Sequence, residues 1–104
     1  MRSYTLTLTN ANQTYKIDDL IKGINSKERS MFAAISIQAD SANANPVLIG
    51  GANTDANVYG RRLAANDIFS LGESEEFNYT STLGLYAHGV TTAGMKLHIV
   101  LDER

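Results

Sequence analysis

The sequence predicts an all-β domain, an antiparallel β-sandwich or jelly-roll-like fold with one short helix near the N-terminus. Several short segments alternate apolar and polar residues with period two, which is typical of half-buried strands. Turns rich in Asn, Gly and Asp separate these segments at short intervals. One segment alone has the spacing of an amphipathic helix. About six to eight strands of this kind favour two sheets that each hide one face.

The N-terminal part contains strand patterns and the one helix pattern. Tyr4, Leu6 and Leu8 alternate with threonines and predict the first strand, and residues 15–17 could continue as a second. Residues 26–30 are charged and are predicted to form a solvated loop. The helix is predicted from apolar residues at i, i+3, i+4 and i+7, namely Ile17, Leu20, Ile21 and Ile24. Gly23 and Asn25 limit this helix to about two turns.

The remaining strands follow from the same alternation. Residues 47–49 are apolar on both faces, which indicates a central strand covered on two sides. Leu63 is predicted to return to the core after a polar loop. The Gly89–Gly94 segment is predicted to join the last two strands as a hairpin. The other predicted strands span residues 32–38, 67–71, 77–80, 83–88 and 95–101.

Length and composition narrow the functional classes. The 104 residues predict a single β-sandwich domain, residues 1–104. A net charge of −2 argues against a nucleic-acid partner, because binding to phosphates needs clustered Lys and Arg. We expect no membrane partner, because no apolar run approaches the ~20 residues that span a bilayer. The chain has no cysteine, so thiolate metal sites and disulfides are excluded.

We expect no metal site and no cofactor. The predicted hairpin could bring His88 and His98 to one outward face, but a zinc site needs three or four ligands and no further ligand completes one. The segment 55–60 resembles a calcium loop weakly. It has Tyr59 where an oxygen ligand is required and Asn66 at the twelfth position, where the motif has Glu. An ordered turn is the favoured interpretation of this segment.

No pattern of catalytic residues is apparent, so we expect a protein that is not an enzyme. No serine lies in a G-x-S-x-G motif, and Gly50-Gly51 lacks the Lys of a phosphate-binding loop. Glu73, Glu75 and Glu76 could act as paired carboxylates, but no apolar surroundings in the sequence would raise a pKa among them. They are interpreted as a solvated acidic rim.

Binding residues are expected in loops, because loops carry recognition on a rigid scaffold. Arg61-Arg62 is the one basic doublet in the middle of the chain, and Arg is favoured in interfaces. One of the pair could bind an acidic loop of a partner or of a second copy, although both could be solvated charges. The interface candidates are Asn53, Asp55, Asn57, Tyr59, Arg61, Arg62, Glu73, Glu75 and Glu76.

The order of elements from Phe32 to Leu101 resembles small β-sandwich accessory proteins of tailed-bacteriophage virions. The matching motifs are the strand SIQAD, the strand PVLIG, the turn GRRLAAND with the strand IFSL, the segment LYA and the final strand MKLHIV. Asn66 replaces the usual Gly after Leu-Ala-Ala and can still adopt a positive φ. The first thirty residues have no counterpart in the resemblance, which suggests the hypothesis that they select the docking site. Unchanged particle binding after deletion of residues 1–25 would contradict that hypothesis.

The resemblance implies a structural protein of the virion, assembled in the cytoplasm of a host bacterium. The expected role is decoration or cementing of the capsid, and the expected partner is the major capsid protein or another virion protein. A homo-oligomer is expected, with a trimer favoured. The alternative is a carbohydrate-binding module of a tail fibre or spike, for which Tyr59, Tyr79 and Tyr86 are the candidate aromatic platforms.

Overall fold

The computed structural model describes residues 1–72 and 80–103 and has an almost entirely β architecture. In chain order the elements are β1 (Arg2–Leu8), β2 (Gln13–Lys16), α1 (Ile17–Ile24), β3 (Met31–Phe32), β4 (Ala34–Ala39), β5 (Val47–Gly50), β6 (Arg61–Leu63), β7 (Ile68–Gly72), β8 (Thr80–Ser81), β9 (Tyr86–Gly89) and β10 (Met95–Asp102). The predicted all-β sandwich with one short N-terminal helix is therefore confirmed.

Two four-stranded antiparallel sheets face each other. Sheet A has the strand order β1-β10-β4-β7, and sheet B has the order β2-β9-β5-β6. The chain crosses between the sheets at β1 to β2, β2 to β4, β4 to β5, β6 to β7, β7 to β9 and β9 to β10. This strand order and these crossings are those of a jelly roll. A small pair, β3 with β8, lies apart from the two sheets.

The core lies between the sheets and follows the alternation in the sequence. On β10, four side chains point inward and are buried: Met95, Leu97, Ile99 and Leu101. Leu6 and Leu8 of β1, Ile35 and Ile37 of β4, and Val47 and Ile49 of β5 complete most of the layer. The first 25 residues thus contribute two strands and a helix to the fold, since β1 and β2 form one edge of the sandwich.

Helix α1 packs against β1 and β2 through Ile17 and Ile21, both fully buried. The helix has no side-chain cap at its start. Its first N–H group, that of Ile17, donates instead to the carbonyl of Leu85 at 3.0 Å. Asp18 is buried beside it and accepts hydrogen bonds from Lys22, Ser30 and Thr82. Ile24 ends the helix with an exposed side chain.

Several details of the prediction are wrong. β9 and β10 do not form a hairpin, because residues 90–94 carry the chain from sheet B to sheet A. The predicted strand 32–38 is broken at Ala33, whose N–H donates to the carbonyl of Asp102. The loop 26–30 is not fully solvated, since Glu28 is buried against Arg2 and Tyr4.

Four of the connections that cross between the sheets, those after β1, β4, β6 and β9, gather at one end of the sandwich, where backbone hydrogen bonds join them. The N–H of Gly94 donates to Leu8, that of Asp40 to Lys96 and that of Asn66 to Ala39. Residues 51–60 follow β5 at the opposite end of the sandwich, where α1 also lies. The described residues contain no helix long and apolar enough to cross a membrane.

Candidate functional site

Residues 51–60, here called the covering loop, fold back over the outer face of sheet B. The hydroxyl of Thr14, on β2, donates to the carbonyl of Thr54 at 2.6 Å and so fixes the loop to the sheet. The loop also closes on itself, because the hydroxyl of Thr54 donates to the carbonyl of Gly51 at 2.6 Å. The N–H of Gly60 then donates to Ile49 at 2.8 Å, where the chain enters β6.

The covering loop buries a second layer outside the main core. Leu48 of β5 and His88 of β9 are cross-strand partners whose side chains point away from the core, yet they are 4% and 5% exposed. Residues 47–49 are therefore covered on two sides, as their apolar run predicts. Sheet A covers the inner face of these residues, and the covering loop covers their outer face.

The tip of the covering loop is an ordered turn. Asp55 Oδ1 accepts the N–H groups of Asn57 and Val58, both at 2.8 Å, and the N–H of Asp55 donates to the carbonyl of Val58. The carboxylate is thus used to shape the turn. Among the described residues, no group of three or more His, Asp or Glu side chains is arranged to hold a metal ion.

The two histidines lie on opposite outer faces of the sandwich, so the predicted shared face is wrong. His88 belongs to sheet B and His98 to sheet A. His98 Nε2 lies 2.6 Å from Asp40 Oδ1, and its Nδ1 lies 3.1 Å from the Thr5 hydroxyl. The contact with His98 is the main cause that lowers the pKa of the Asp40 carboxyl.

A pocket of about 320 Å³ lies beside the covering loop on the outer face of sheet B. Tyr59 and Ala56 come from the loop and Arg62 comes from β6. Leu48 lies on the neighbouring strand, and Pro46 and Thr91 come from the turns at the far end. The pocket thus joins the covering loop to the crossing loops along one face of the protein.

The basic doublet is divided between two surfaces because successive residues of a strand point to opposite sides. Arg62 pairs with Leu48 across the sheet and lines the pocket on the outer face, and it also borders the groove at the neighbouring edge. The guanidinium of Arg61 instead lies 5.6 Å from the ring centre of Phe69, on the open edge formed by β6 and β7. A groove of about 390 Å³ follows this edge, with Asp67 and Ile68 among its lining residues.

The other predicted site residues are placed as follows. Asn53, Asp55, Asn57 and Tyr59 are exposed on the covering loop, and Arg61 and Arg62 are exposed on β6. The structure brings Tyr59 and Arg62 together in the pocket. Glu73, Glu75, Glu76 and Tyr79 lie outside the described residues.

Sequence reasoning missed the buried polar layer under the covering loop. Thr54 and His88 are buried and Thr14 is half-buried. The three are polar and widely separated in the chain, so none of them stands out in the sequence. The apolar outward residue Leu48 was the one available signal, because an outward face that is apolar has to be covered.

Comparisons with protein-family models, with curated proteins and with solved structures found no match.

Two buried carboxylates at the α1 end serve the fold. Arg2 and Tyr4 donate to Glu28, and these bonds, led by the one from Arg2, lower the pKa of Glu28 to about 2. Burial raises the pKa of Asp18, but the hydrogen bonds from Lys22, Thr82 and Ser30 outweigh it, and the net pKa is lowered. Both groups are charged and internally paired at neutral pH. Asp18 joins α1 to Ser30 and Thr82, and Glu28 joins the loop after α1 to β1.

Proposed function

We propose that this chain is a non-enzymatic structural protein of a bacteriophage virion, a decoration or cement subunit that binds the assembled capsid shell. The resemblance of residues 32–101 to accessory virion proteins supports this role. Jelly-roll sandwiches are also widespread among viral capsid proteins, although a shared fold alone does not define a function. The proposed partner is the major capsid protein or another virion protein.

The main support is the covering loop, which is exposed at its tip and fixed at its base. Val58 and Tyr59 are 45% and 46% exposed, so they offer apolar area to a partner. The turn beneath them is held by Asp55, and the loop is held to sheet B by Thr14. A loop that is already ordered loses little conformational entropy on binding, which favours affinity from a small contact.

A decoration subunit also gains from repetition. A domain of this size offers only a modest interface, and each single contact is weak in consequence. When the contact is repeated over a closed shell, the shell gains the sum of all contacts without a change in any one of them. Repetition of a weak contact is therefore suited to a small rigid sandwich that carries its binding residues on one fixed loop.

The proposed oligomer is a homotrimer that uses the open edge of the sandwich. β6 and β7 are edge strands, and Ile68 on β7 is 62% exposed. Unpaired strand edges with exposed apolar residues favour pairing with another chain. Light scattering at several concentrations tests the trimer, and Ile68→Lys should shift the mass towards that of a monomer. A monomeric wild type at all concentrations would contradict the trimer while leaving shell binding to be tested separately.

Shell binding is tested by co-sedimentation of the purified chain with empty shells of the phage's major capsid protein. We expect saturable binding, and we expect the double variant Val58→Ser, Tyr59→Ser to lose most of it. Ile24→Ser is the matched control, because Ile24 is also apolar and exposed but ends α1, outside the covering loop. Absence of wild-type binding would contradict the proposal, and so would equal losses in the two variants.

A further inference from the structure

The pocket beside the covering loop has an apolar floor and a polar rim. Pro46, Leu48 and Val90 supply apolar surface, while Arg62 and Tyr59 supply a cation and an aromatic ring. Its volume of about 320 Å³ is at the lower end of the range found for small-molecule sites. The part of a ligand that the pocket holds should therefore be about the size of one or two sugar rings, with one apolar face and one anionic group.

Arg62 is the residue that should make the pocket favour an anionic ligand. The other described arginines are engaged within the protein: Arg2 pairs with Glu28 and Glu103, Arg29 pairs with Glu103, and Arg61 lies over Phe69. Arg62 makes no ion pair with any residue that the structure describes. A guanidinium presents parallel N–H donors that match the two oxygens of a carboxylate.

The rim offers acceptors for hydroxyl groups. The amide of Asn45 donates to the Thr92 hydroxyl, which leaves the Asn45 carbonyl oxygen as an acceptor. The Thr91 hydroxyl donates to the carbonyl of Val90 at 2.7 Å, so its oxygen is also left to accept. A polyol with many O–H donors suits this rim better than a ligand that has only acceptors.

The backbone of Thr91 is held in an unfavourable conformation at this rim. Its φ is +63°, which is rare for a β-branched residue. The side-chain carbonyl of Asn12 accepts the N–H of Thr91 at 3.0 Å and helps to hold this conformation. Strain of this kind concentrates at binding sites, where it fixes a side chain in a needed position.

From these observations we infer that the pocket binds a sugar that carries a carboxylate, such as a uronic acid or a sialic acid. The carboxylate pairs with Arg62, one face of the ring packs on Tyr59, and ring hydroxyls donate to Asn45 and Thr91. The pocket shares Tyr59 with the tip of the covering loop, but Arg62, Asn45 and Thr91 lie outside the tip, and the inference does not depend on a place in a virion.

Titration of the ¹⁵N-labelled protein with trigalacturonic acid at low salt tests the inference. We expect saturable shifts at residues around the pocket, and a weaker response when salt screens the charge. The methyl-esterified trisaccharide is the matched ligand control, since it keeps the rings and loses the charge. We expect it to bind about tenfold more weakly or worse. N-acetylneuraminic acid is the second acidic probe.

Two variants at neighbouring residues distinguish binding in the pocket from non-specific attraction to positive charge. Arg62→Gln should weaken binding by about tenfold or more, whereas Arg61→Gln removes the same charge one residue away and should leave affinity within about twofold. Both residues are exposed, so both variants should unfold at the wild-type temperature. Equal losses in the two variants, or equal binding of acid and ester, would overturn the inference.

Thr91 offers a test in which stability and binding move in opposite directions. Thr91→Gly removes the strain at positive φ and should raise the unfolding temperature. It also removes the hydroxyl oxygen and should weaken binding of trigalacturonic acid severalfold. Failure of both acidic sugars to bind would overturn the inference, and so would tighter binding of an Asp- and Glu-rich peptide of similar size.

Discussion

Thr14 and His88 are joined by a hydrogen bond of 2.9 Å between Oγ1 and Nδ1, and its direction follows from the third partner. The one hydroxyl proton of Thr14 is donated to the carbonyl of Thr54, so Oγ1 accepts from His88. His88 therefore carries its proton on Nδ1, an assignment made from the network. Its Nε2 is buried with no hydrogen-bond partner among the described residues.

Thr14→Val should destabilise the domain by about 1–3 kcal/mol, because it leaves the His88 Nδ1–H and the Thr54 carbonyl without a partner. Urea unfolding measures the loss, and hydrogen exchange should show faster opening of residues 51–60. Thr14→Ser keeps the hydroxyl and is the control. Thr5→Val, which loses an exposed hydroxyl beside His98, should change stability by less than about 0.5 kcal/mol. A Thr14→Val variant as stable as Thr14→Ser would contradict the assigned network.

Gly50→Ala should displace the covering loop. A Cβ atom at this position would lie 2.5 Å from the Thr54 hydroxyl oxygen and 3.0 Å from the backbone nitrogen of Gly60. Both atoms hold the loop through hydrogen bonds, so neither can move without cost, and we expect a loss of about 1–3 kcal/mol. Thermal and urea unfolding measure this loss.

Gly51→Ala is the matched control for Gly50→Ala. The nearest atom to its added Cβ would be the Asn53 side-chain oxygen at 3.8 Å, an ordinary contact. We expect a change within about 0.5 kcal/mol of the wild type. Equal effects at the two glycines would show that the close packing at Gly50 does not anchor the loop.

The local part of the fold could be predicted from the sequence, because its causes are local. Alternation with period two places Leu6 and Leu8 inward on β1, and helical spacing places Ile17 and Ile21 inward on α1. The strand β6 escaped prediction because three residues, two of them Arg, are too short to show a period.

The non-local part could not be predicted, because it depends on which sheet each strand joins. Residues 89–94 have the composition of a hairpin turn, and composition does not distinguish a hairpin from a crossing between sheets. Because of that error, His88 was predicted to lie on the same outer face as His98. Glu28 is paired with Arg2, which is 26 residues away, so the loop that contains it looked solvated. The pocket likewise combines residues from four separate segments of the chain.

A chain that lacks residues 1–25 should fail to fold. The deletion removes β1, β2 and α1, and with them the buried residues Leu6, Leu8, Ile17 and Ile21. Each large apolar residue lost from a core costs about 2–5 kcal/mol, and a domain of this size has only about 5–15 kcal/mol in total. Circular dichroism and urea unfolding measure the result, and a cooperative transition in the truncated chain would contradict it.

Glu28→Gln should remove part of the acid sensitivity of the domain. The bonds from Arg2 and Tyr4 stabilise the charged carboxylate and lower its pKa from 4.5 to about 2. A carboxyl with a lowered pKa in the folded state contributes stability above the pKa of the unfolded chain, and this stability is lost as pH falls towards the folded value. The free energy of unfolding of the wild type should therefore decline between about pH 5 and about pH 2.

The Glu28→Gln variant should be less stable than the wild type at neutral pH, and the difference should shrink as the pH falls through this window. A residual slope remains in both proteins, because the pKa values of Asp18 and Asp40 are also lowered. Tyr4→Phe is the graded control: it removes one donor to Glu28 and keeps the carboxylate, so its pH dependence should lie between the other two. Urea unfolding at a series of pH values measures the stability of all three proteins. If the difference in free energy of unfolding between wild type and Glu28→Gln does not change with pH, the bond from Arg2 does not lower the pKa of Glu28.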